Sequence, residues 1–400
     1  MSAESLTTVL AVILVWCVFS TRLERFGLTA PIVFVAAGFA CTDVVGLLHL
    51  DVEPELVKVL AEVTLVWVLF GDASSVRLRE FRRNLRLYGR LLGVGLPLTI
   101  ALGTLIAMPL LNLGLWAALL VSAALAPTDA ALAAGVISDP QVPSRVRGLL
   151  NVESGLNDGI ATPIVLLAIA GVAADEGIAG IKGPGHAAVA LAVGAAAGVV
   201  IGGLGGALTR QARARNWLSD ELAGPATLAL AVLAYTAALL VNGNGFVAAF
   251  VAGLVFGSTA GPGEVLEVYF VEQVADLASM TSWLVFGAVV VPTIGTALGW
   301  RVTAYALLSL TVIRMLPVAI GLFGAGFDRY SVVFIGWFGP RGLASIVFAL
   351  LALEDLHRAA QPLVATIGLT VLFSVVAHGI TAHPVARRFA VAARATPRTA

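Results

Sequence analysis

Charge is what this chain has least of. Asp, Glu, Lys and Arg make up 12% of its 400 residues, against roughly 25% in an ordinary soluble protein. That scarcity excludes a soluble enzyme or binding domain with a solvated surface. Acidic and basic residues balance at a net charge of zero, so no basic excess points to a nucleic-acid partner, and none is expected. Only two cysteines are present, Cys17 and Cys41. Both lie in apolar runs without metal-ligand spacing and read as small hydrophobes rather than as a disulfide or a metal site. No glycine-rich run is followed by Lys-Ser or Lys-Thr, which argues against ATP-driven pumping within the chain. A metal-ligand cluster, a nucleophile elbow and a soluble regulatory domain are likewise missing. The chain is therefore not expected to be an enzyme or to carry a cofactor. The first twenty residues lack a basic leading segment, so the first apolar run is expected to be a retained span rather than a cleaved signal.

What is present is apolar sequence: 59% hydrophobic residues and a mean hydropathy of +0.97. A run of about 20 apolar residues crosses a bilayer as a helix. Thirteen such spans are expected, at 5–21, 28–42, 55–73, 88–110, 113–137, 146–171, 187–208, 220–241, 244–259, 265–291, 300–323, 330–353 and 360–382. The fold class is thus an all-α polytopic membrane protein forming one transmembrane unit over 1–400. The 42 glycines suit close helix contacts, where small residues let backbones approach. Alternating the loops between two sides places eighteen of the 24 basic residues on one side and four on the other, with Arg314 and Arg341 inside spans. By the positive-inside rule the amino terminus is expected outside and the carboxyl terminus in the cytoplasm. The Arg77–Arg90 run reads as a cytoplasmic anchoring loop.

Two spans are interrupted. Pro127-Thr-Asp129 breaks the fifth and Gly339-Pro-Arg341-Gly the twelfth. Such breaks free backbone groups and are tolerated in a membrane only where they line a cavity or are buried in protein. Their corresponding placement predicts inverted repeats, spans one to six and eight to thirteen, with the functional site where the breaks meet.

The sixth span carries Glu153-Ser-Gly-Leu-Asn157-Asp158. Intramembrane carboxylates are costly to keep and read by default as an ion or proton pathway. At helical spacing Ser154 lies beside Asp158, and Glu153 beside Asn157. Carboxylate, hydroxyl and freed carbonyl oxygens are the ligands a hard monovalent cation needs. Asp129, from the fifth span, brings a second carboxylate, and two carboxylates in a low-dielectric site force at least one to titrate near neutrality. Such a site exchanges a proton for a cation. Asp129 also reads as a cap for the half-helix after the break, Asn157 as a staple between broken spans, Ser154 as a packing residue and Thr128 as a donor of its backbone carbonyl alone. Arg341 requires a partner, and Glu153 is the preferred one, with Asp129 and Asp158 as competitors. Arg314 either orients an ion path or pairs locally. Glu62, Asp72, Glu272 and Asp276 are expected to face a water-filled access or another helix, and His378 and His383 are candidate pH sensors.

With these residues the sequence resembles the monovalent cation/proton antiporter family, in its electroneutral, NhaP-type branch. The resemblance runs over nearly the whole chain through Pro127-Thr-Asp129, Glu153-Ser-Gly-Leu-Asn157-Asp158, Arg314 and Phe338-Gly-Pro-Arg341-Gly-Leu-Ala-Ser345. It implies a cell-membrane homodimer serving pH homeostasis. Dimer-interface helices would lie mainly in 1–73 and 187–291, and a mobile core mainly in 88–171 and 300–383, moving as an elevator. It implies Asp158 as the shared carrier of cation and proton, with Asp129, Ser154 and the Thr128 carbonyl as further cation contacts. Glu153 with Arg341 would be a structural bridge and Asn157 a core polar residue. Membrane lipid, a monovalent cation (Na+ or Li+) and the proton are the implied partners. Ala130 departs from the proline many relatives carry there, and no long cytosolic extension is expected. The rival of the same fold is a K+/H+ antiporter. Rivals of another class are a cation channel, which would need no titrating carboxylate, and an anion or bile-acid-type symporter, which would need an organic-substrate pocket.

Overall fold

A computed structural model describes all residues except 1–2, 25, 45–53, 77–83, 131, 138, 179–182, 262–263 and 396–400. Much of the expected anchoring run (Arg77, Arg79, Arg82 and Arg83), together with Arg25, Lys182 and Arg398, lies outside the described residues, as do the side chains of Lys58, His383 and Arg394.

The described residues are helical and contain no strand. In order the helices are α1 (Ala3–Glu24), α2 (Ala30–Phe39), α3 (Pro54–Ser75), α4 (Leu85–Leu111), α5 (Leu115–Ala124), α6 (Ala134–Ile137) and α7 (Ser144–Asp175). There follow α8 (Pro184–Ala214), α9 (Asp220–Leu240), α10 (Gly245–Thr259), α11 (Glu264–Val285, continued through a π-helical turn at Phe286–Val290 into a short helical end at Val291–Ala297), α12 (Trp300–Leu310), α13 (Val312–Gly321), α14 (Arg329–Trp337), α15 (Leu343–Leu356) and α16 (Gln361–Ala395). Among the described residues eight stretches are long and apolar enough to cross a membrane, and three shorter apolar helices lie at Ala30–Thr42, Leu115–Ala124 and Gly245–Thr259. With no solvent in hydrocarbon to satisfy backbone groups, a helix is the form such segments take.

The helices pack in two groups. In one, α3 lies against α10 and α11, α8 lies along α10, and α9 joins α8, α10 and α11. Along α8 the buried residues Gly194, Gly198, Gly202 and Gly206 recur every four positions, which lets its backbone close on α10. In the other group α5 packs on α4 and α7, and α16 runs beside α12 and α15. The groups meet chiefly where α7 touches α3, α8 and α10, and where α15 touches α3. Helices α1, α8 and α9 turn much of their apolar surface outward: Leu10, Leu14, Val18, Leu204, Leu208, Leu222 and Leu233 are all exposed.

Two expected spans are broken as the prolines dictate. Pro127 has no N–H to offer the Ala123 carbonyl, which instead takes the Ala126 amide at 3.3 Å, and α5 stops at Ala124. The described residues between Ala124 and α6 are turns and non-helical backbone. In the later span α14 ends at Trp337, residues 338–342 are non-helical, and α15 begins at Leu343. A third interruption was not foreshadowed. The expected span 300–323 divides at Thr311, whose φ −114° and ψ −93° leave the helical region, and this frees the Ser309 carbonyl.

Candidate functional site

The two major breaks cross and are pinned to each other. The Asp129 amide donates to the Pro340 carbonyl (2.9 Å). The Asp129 carboxylate accepts from the Leu132 amide within its own break (3.1 Å) and from the Leu343 amide at the start of α15 (2.9 Å). An anion at a helix amino terminus meets unpaired N–H groups and the positive end of the helix dipole. A Cβ at Gly342 would overlap the Asp129 carboxylate, so only glycine lets the two breaks approach. The opposite charge serves the opposite end. Arg341 donates to the carbonyls of Ala126 (2.8 Å) and Pro127 (3.3 Å), freed just beyond α5, and to the Ser309 carbonyl (3.3 Å), freed by the interruption at Thr311.

Helix α7 lays its polar face against the first break. Asn157 donates from Nδ2 to the Thr128 hydroxyl (2.7 Å), which lies 3.0 Å from the Ser154 hydroxyl. Ser154 and Asn157 are one helical turn apart, so Thr128 ties the break to this face through its side chain. Asp158 follows, 7% exposed. Its Oδ1 is buried without a hydrogen-bond partner, and so are Asn157 Oδ1 and Ser345 Oγ. A buried oxygen left unpaired is costly. On a carboxylate it is the acceptor that a proton or a hard cation would satisfy. Among the described residues no three His, Cys, Asp or Glu side chains converge as a metal centre. The oxygen set is instead a carboxylate with hydroxyls, suited to a weakly held monovalent cation.

The expected bridge between Glu153 and Arg341 is not the one that forms. Glu153 pairs with Arg314, at 2.5 Å to Oε1 and 2.9 Å to Oε2. Both residues are almost wholly buried, at 4% and 2% exposure. Two parallel bonds satisfy both carboxylate oxygens, the favourable geometry for a buried pair. Arg314 thus pairs across the fold from α13 to α7. Arg341, fully buried, donates from its two terminal nitrogens to three backbone carbonyls instead of a carboxylate, and its Nε is left without a partner. Its neighbour Gly339 lies against the Arg314 guanidinium.

A further residue belongs to this neighbourhood. Asp72 of α3 packs against Gly155 of α7, where an added Cβ would stand 3.7 Å from the Asp72 Cβ. Asp72 and Asp129 both lie within electrostatic range of Asp158, while Glu272 and Asp276 of α11 lie within range of Asp72. The four acids expected to face an access or a neighbouring helix therefore separate: Asp72, Glu272 and Asp276 form an acidic flank to the site, and Glu62 is linked to Tyr235. Asp72 stood out no more than the others in the sequence. The signal that would have raised it is its position one turn from the end of a span, opposite the small residue Gly155.

The sequence matches the family described as "Sodium/hydrogen exchanger, transmembrane" over residues 8–388. The chain belongs to the sodium/hydrogen exchanger family. Curated exchanger relatives include the K(+)/H(+) antiporter NhaP of Alkalimonas amylolytica, 26% identical over 306 residues, which span 74% of this chain and 51% of that protein. The uncharacterized Na(+)/H(+) exchanger YjcE of Escherichia coli is 28% identical over 151 residues, 38% of this chain and 27% of that protein. The chain thus spans about half the length, or less, of these relatives. Among solved structures it is similar to the sodium proton antiporter MjNhaP1 from Methanocaldococcus jannaschii, with a TM-score of 0.77 at 19% identity, covering 94% of this chain and 98% of that one. At that identity the likeness shows the exchanger fold.

Proposed function

We propose that this exchanger-family chain is a secondary active antiporter that trades a monovalent cation, Na+ or Li+, for H+ across the membrane. The observation that carries the reading is Asp158: a buried carboxylate with one oxygen unpaired, beside the crossing of two broken spans. Protonated, it is neutral and tolerable in a low-dielectric surrounding. Deprotonated, it offers a charge that a cation neutralises, with oxygens of Ser154, Thr128 and Asp129 to complete the shell. Either ligand makes the site movable, and the empty anionic form is the costly one. Proton and cation therefore compete for one group.

Because Asn157 is uncharged and Glu153 is held by Arg314, a single titrating charge accompanies each half-cycle, and the exchange is one for one. The group containing α4–α7 and α12–α16 would carry the site past the group containing α1–α3 and α8–α11, an elevator step between inverted repeats. The outward apolar surface of α1, α8 and α9 suits a homodimer seated in the cell's inner membrane, amino terminus outside and carboxyl terminus in the cytoplasm. K+ for H+ is a second reading, favoured by the similarity to a relative named as a K(+)/H(+) antiporter.

Proteoliposomes under an imposed pH gradient test the proposal, with Na+, Li+ and K+ supplied separately. Cation-dependent dissipation of the gradient at a rate unaffected by valinomycin-clamped potential is expected, since an unbalanced charge would gain about 2.3 kcal/mol per 100 mV. Failure of all three cations overturns antiport. A rate that follows voltage overturns the one-for-one exchange. A response to K+ alone selects the second reading.

A further inference from the structure

The buried residue His378, on α16, has no part in the exchange described above. It is 1% exposed, and Ser374 one turn earlier is 0% exposed. Its Nε2 lies 2.9 Å from the Trp337 carbonyl, the last residue of α14. Its Nδ1 lies 3.1 Å from the Ser374 hydroxyl and 2.9 Å from the Ser374 carbonyl. The imidazole lies over the Trp337 indole at 5.1 Å between centroids, and the indole N–H donates to Thr381 of the same helix (3.0 Å). The Ser374 hydroxyl in turn accepts the Arg341 amide at 2.6 Å.

The Arg341 amide and the Pro340 carbonyl belong to one peptide group, and that carbonyl accepts the Asp129 amide (2.9 Å). A single peptide plane in the second break is therefore gripped at both ends. The first break holds one end, and Ser374 with His378 the other. Broken helices leave backbone groups that must be satisfied within the protein, and here α16 satisfies both the carbonyl that ends α14 and the amide that precedes α15. A rotation of this plane would move the Asp129 backbone and, through the Leu343 amide, its carboxylate.

We infer that His378, acting through Ser374 and the Pro340–Arg341 peptide, is a positioning residue that sets how Asp129 is presented to the cation site. The charged groups whose fields reach the imidazole are Arg341, in the second break, and Arg314 of α13, the latter neutralised by Glu153 of α7. With its proton on Nε2 the imidazole donates to the Trp337 carbonyl and Nδ1 receives the Ser374 hydroxyl, whereas a proton on Nδ1 would go to the Ser374 carbonyl, so the clamp is the Nε2-protonated form. That hydroxyl then turns its lone pairs to the Arg341 amide. In this arrangement the hydroxyl and the imidazole each donate and accept, between the Arg341 amide that donates and the Trp337 carbonyl that accepts, and loss of one member loosens the whole chain.

The inference rests on the antiport reading for the identity of the ligand but is tested by binding alone. Thermal stabilisation of the detergent-solubilised full chain by Na+, Li+ and K+ gives a half-saturating concentration without requiring transport. Ser374→Ala and His378→Leu are expected to raise it about fivefold, the effect of one hydrogen bond. His378→Gln, whose amide nitrogen can still donate to the Trp337 carbonyl, should recover part of that loss. In proteoliposomes the first two variants should raise KM for the cation while the maximal rate stays near that of the parent. Wild-type half-saturation in both Ser374→Ala and His378→Leu overturns the inference. So does a lowered melting point with unchanged cation affinity, which would make the clamp structural only, and so does the absence of stabilisation of the wild type by all three cations. A wild type that binds cation but does not exchange it refutes the antiport reading and leaves this binding test standing.

Discussion

Two carboxylates sit one and a half turns apart on α7, and their surroundings could hardly differ more. Glu153 and Asp158 are both almost wholly buried. Both oxygens of Glu153 are taken by the Arg314 guanidinium, whereas Asp158 keeps one oxygen without a partner. Burial alone therefore does not mark a working carboxylate. What separates the two is whether the protein itself supplies the counter-charge. Where it does, the group is fixed and serves the fold. Where it does not, the counter-charge must arrive as a proton or a cation, and the group can serve exchange.

The largest expected effect tests the Asp158 side of that contrast. Asp158→Asn should abolish cation-dependent proton movement in proteoliposomes while the melting temperature stays within a few degrees of the parent, because the amide keeps the shape and removes the titrating charge. Unfolding of this variant, or exchange at the parent rate, would break the comparison.

Next comes the Glu153 side. Arg314→Ala strands a buried carboxylate and should cost about 3–5 kcal/mol of stability. The double change Glu153→Gln with Arg314→Gln should recover part of it, read by thermal melting as a non-additive cycle. Glu153→Gln combined with Arg341→Gln should instead be close to additive, since Arg341 binds carbonyls. A large coupling in that second cycle would restore the bridge that the sequence favoured.

A smaller effect is expected at Asp129, which caps α15 and stands near the site. Asp129→Ala should cost about 0.5–2 kcal/mol for the lost cap and weaken cation affinity. Asp129→Asn keeps one carbonyl oxygen as an acceptor and should lose affinity with less loss of stability. Equal stability of all three proteins would show that the cap contributes nothing. The smallest effect belongs to Asn157→Ala, which removes one buried hydrogen bond to Thr128 and should cost about 1 kcal/mol. A loss of exchange as complete as in Asp158→Asn would mean that Asn157 does more than hold the break.

The membrane class, the breaks at Pro127 and at Gly339–Gly342, and the polar face of α7 were all legible in the sequence, because proline chemistry and the rarity of charge act locally. The partner of Glu153 was not. A buried arginine announces that it needs acceptors, but Arg314 and Arg341 announce it equally. The choice depends on which carbonyls the tertiary structure frees. Those of Ala126, Pro127 and Ser309 were available to Arg341, and the last depends on an interruption at Thr311 that no proline or glycine marks. Thr128 was read for its carbonyl alone, yet its hydroxyl is the acceptor that joins the break to α7. Asp72 was visible as an intramembrane acid, but its place beside Gly155 is a matter of helix packing that periodicity within one helix does not reveal.

The most direct test of the account is proton release on cation binding, measured in weakly buffered detergent solution without any membrane. A group that holds either ligand must give up one to take the other. The parent protein and the Glu153→Gln, Arg314→Gln double variant should each release about one proton per cation bound, and Asp158→Asn should release none. Release by Asp158→Asn equal to that of the parent would contradict the assignment of Asp158 as the shared carrier.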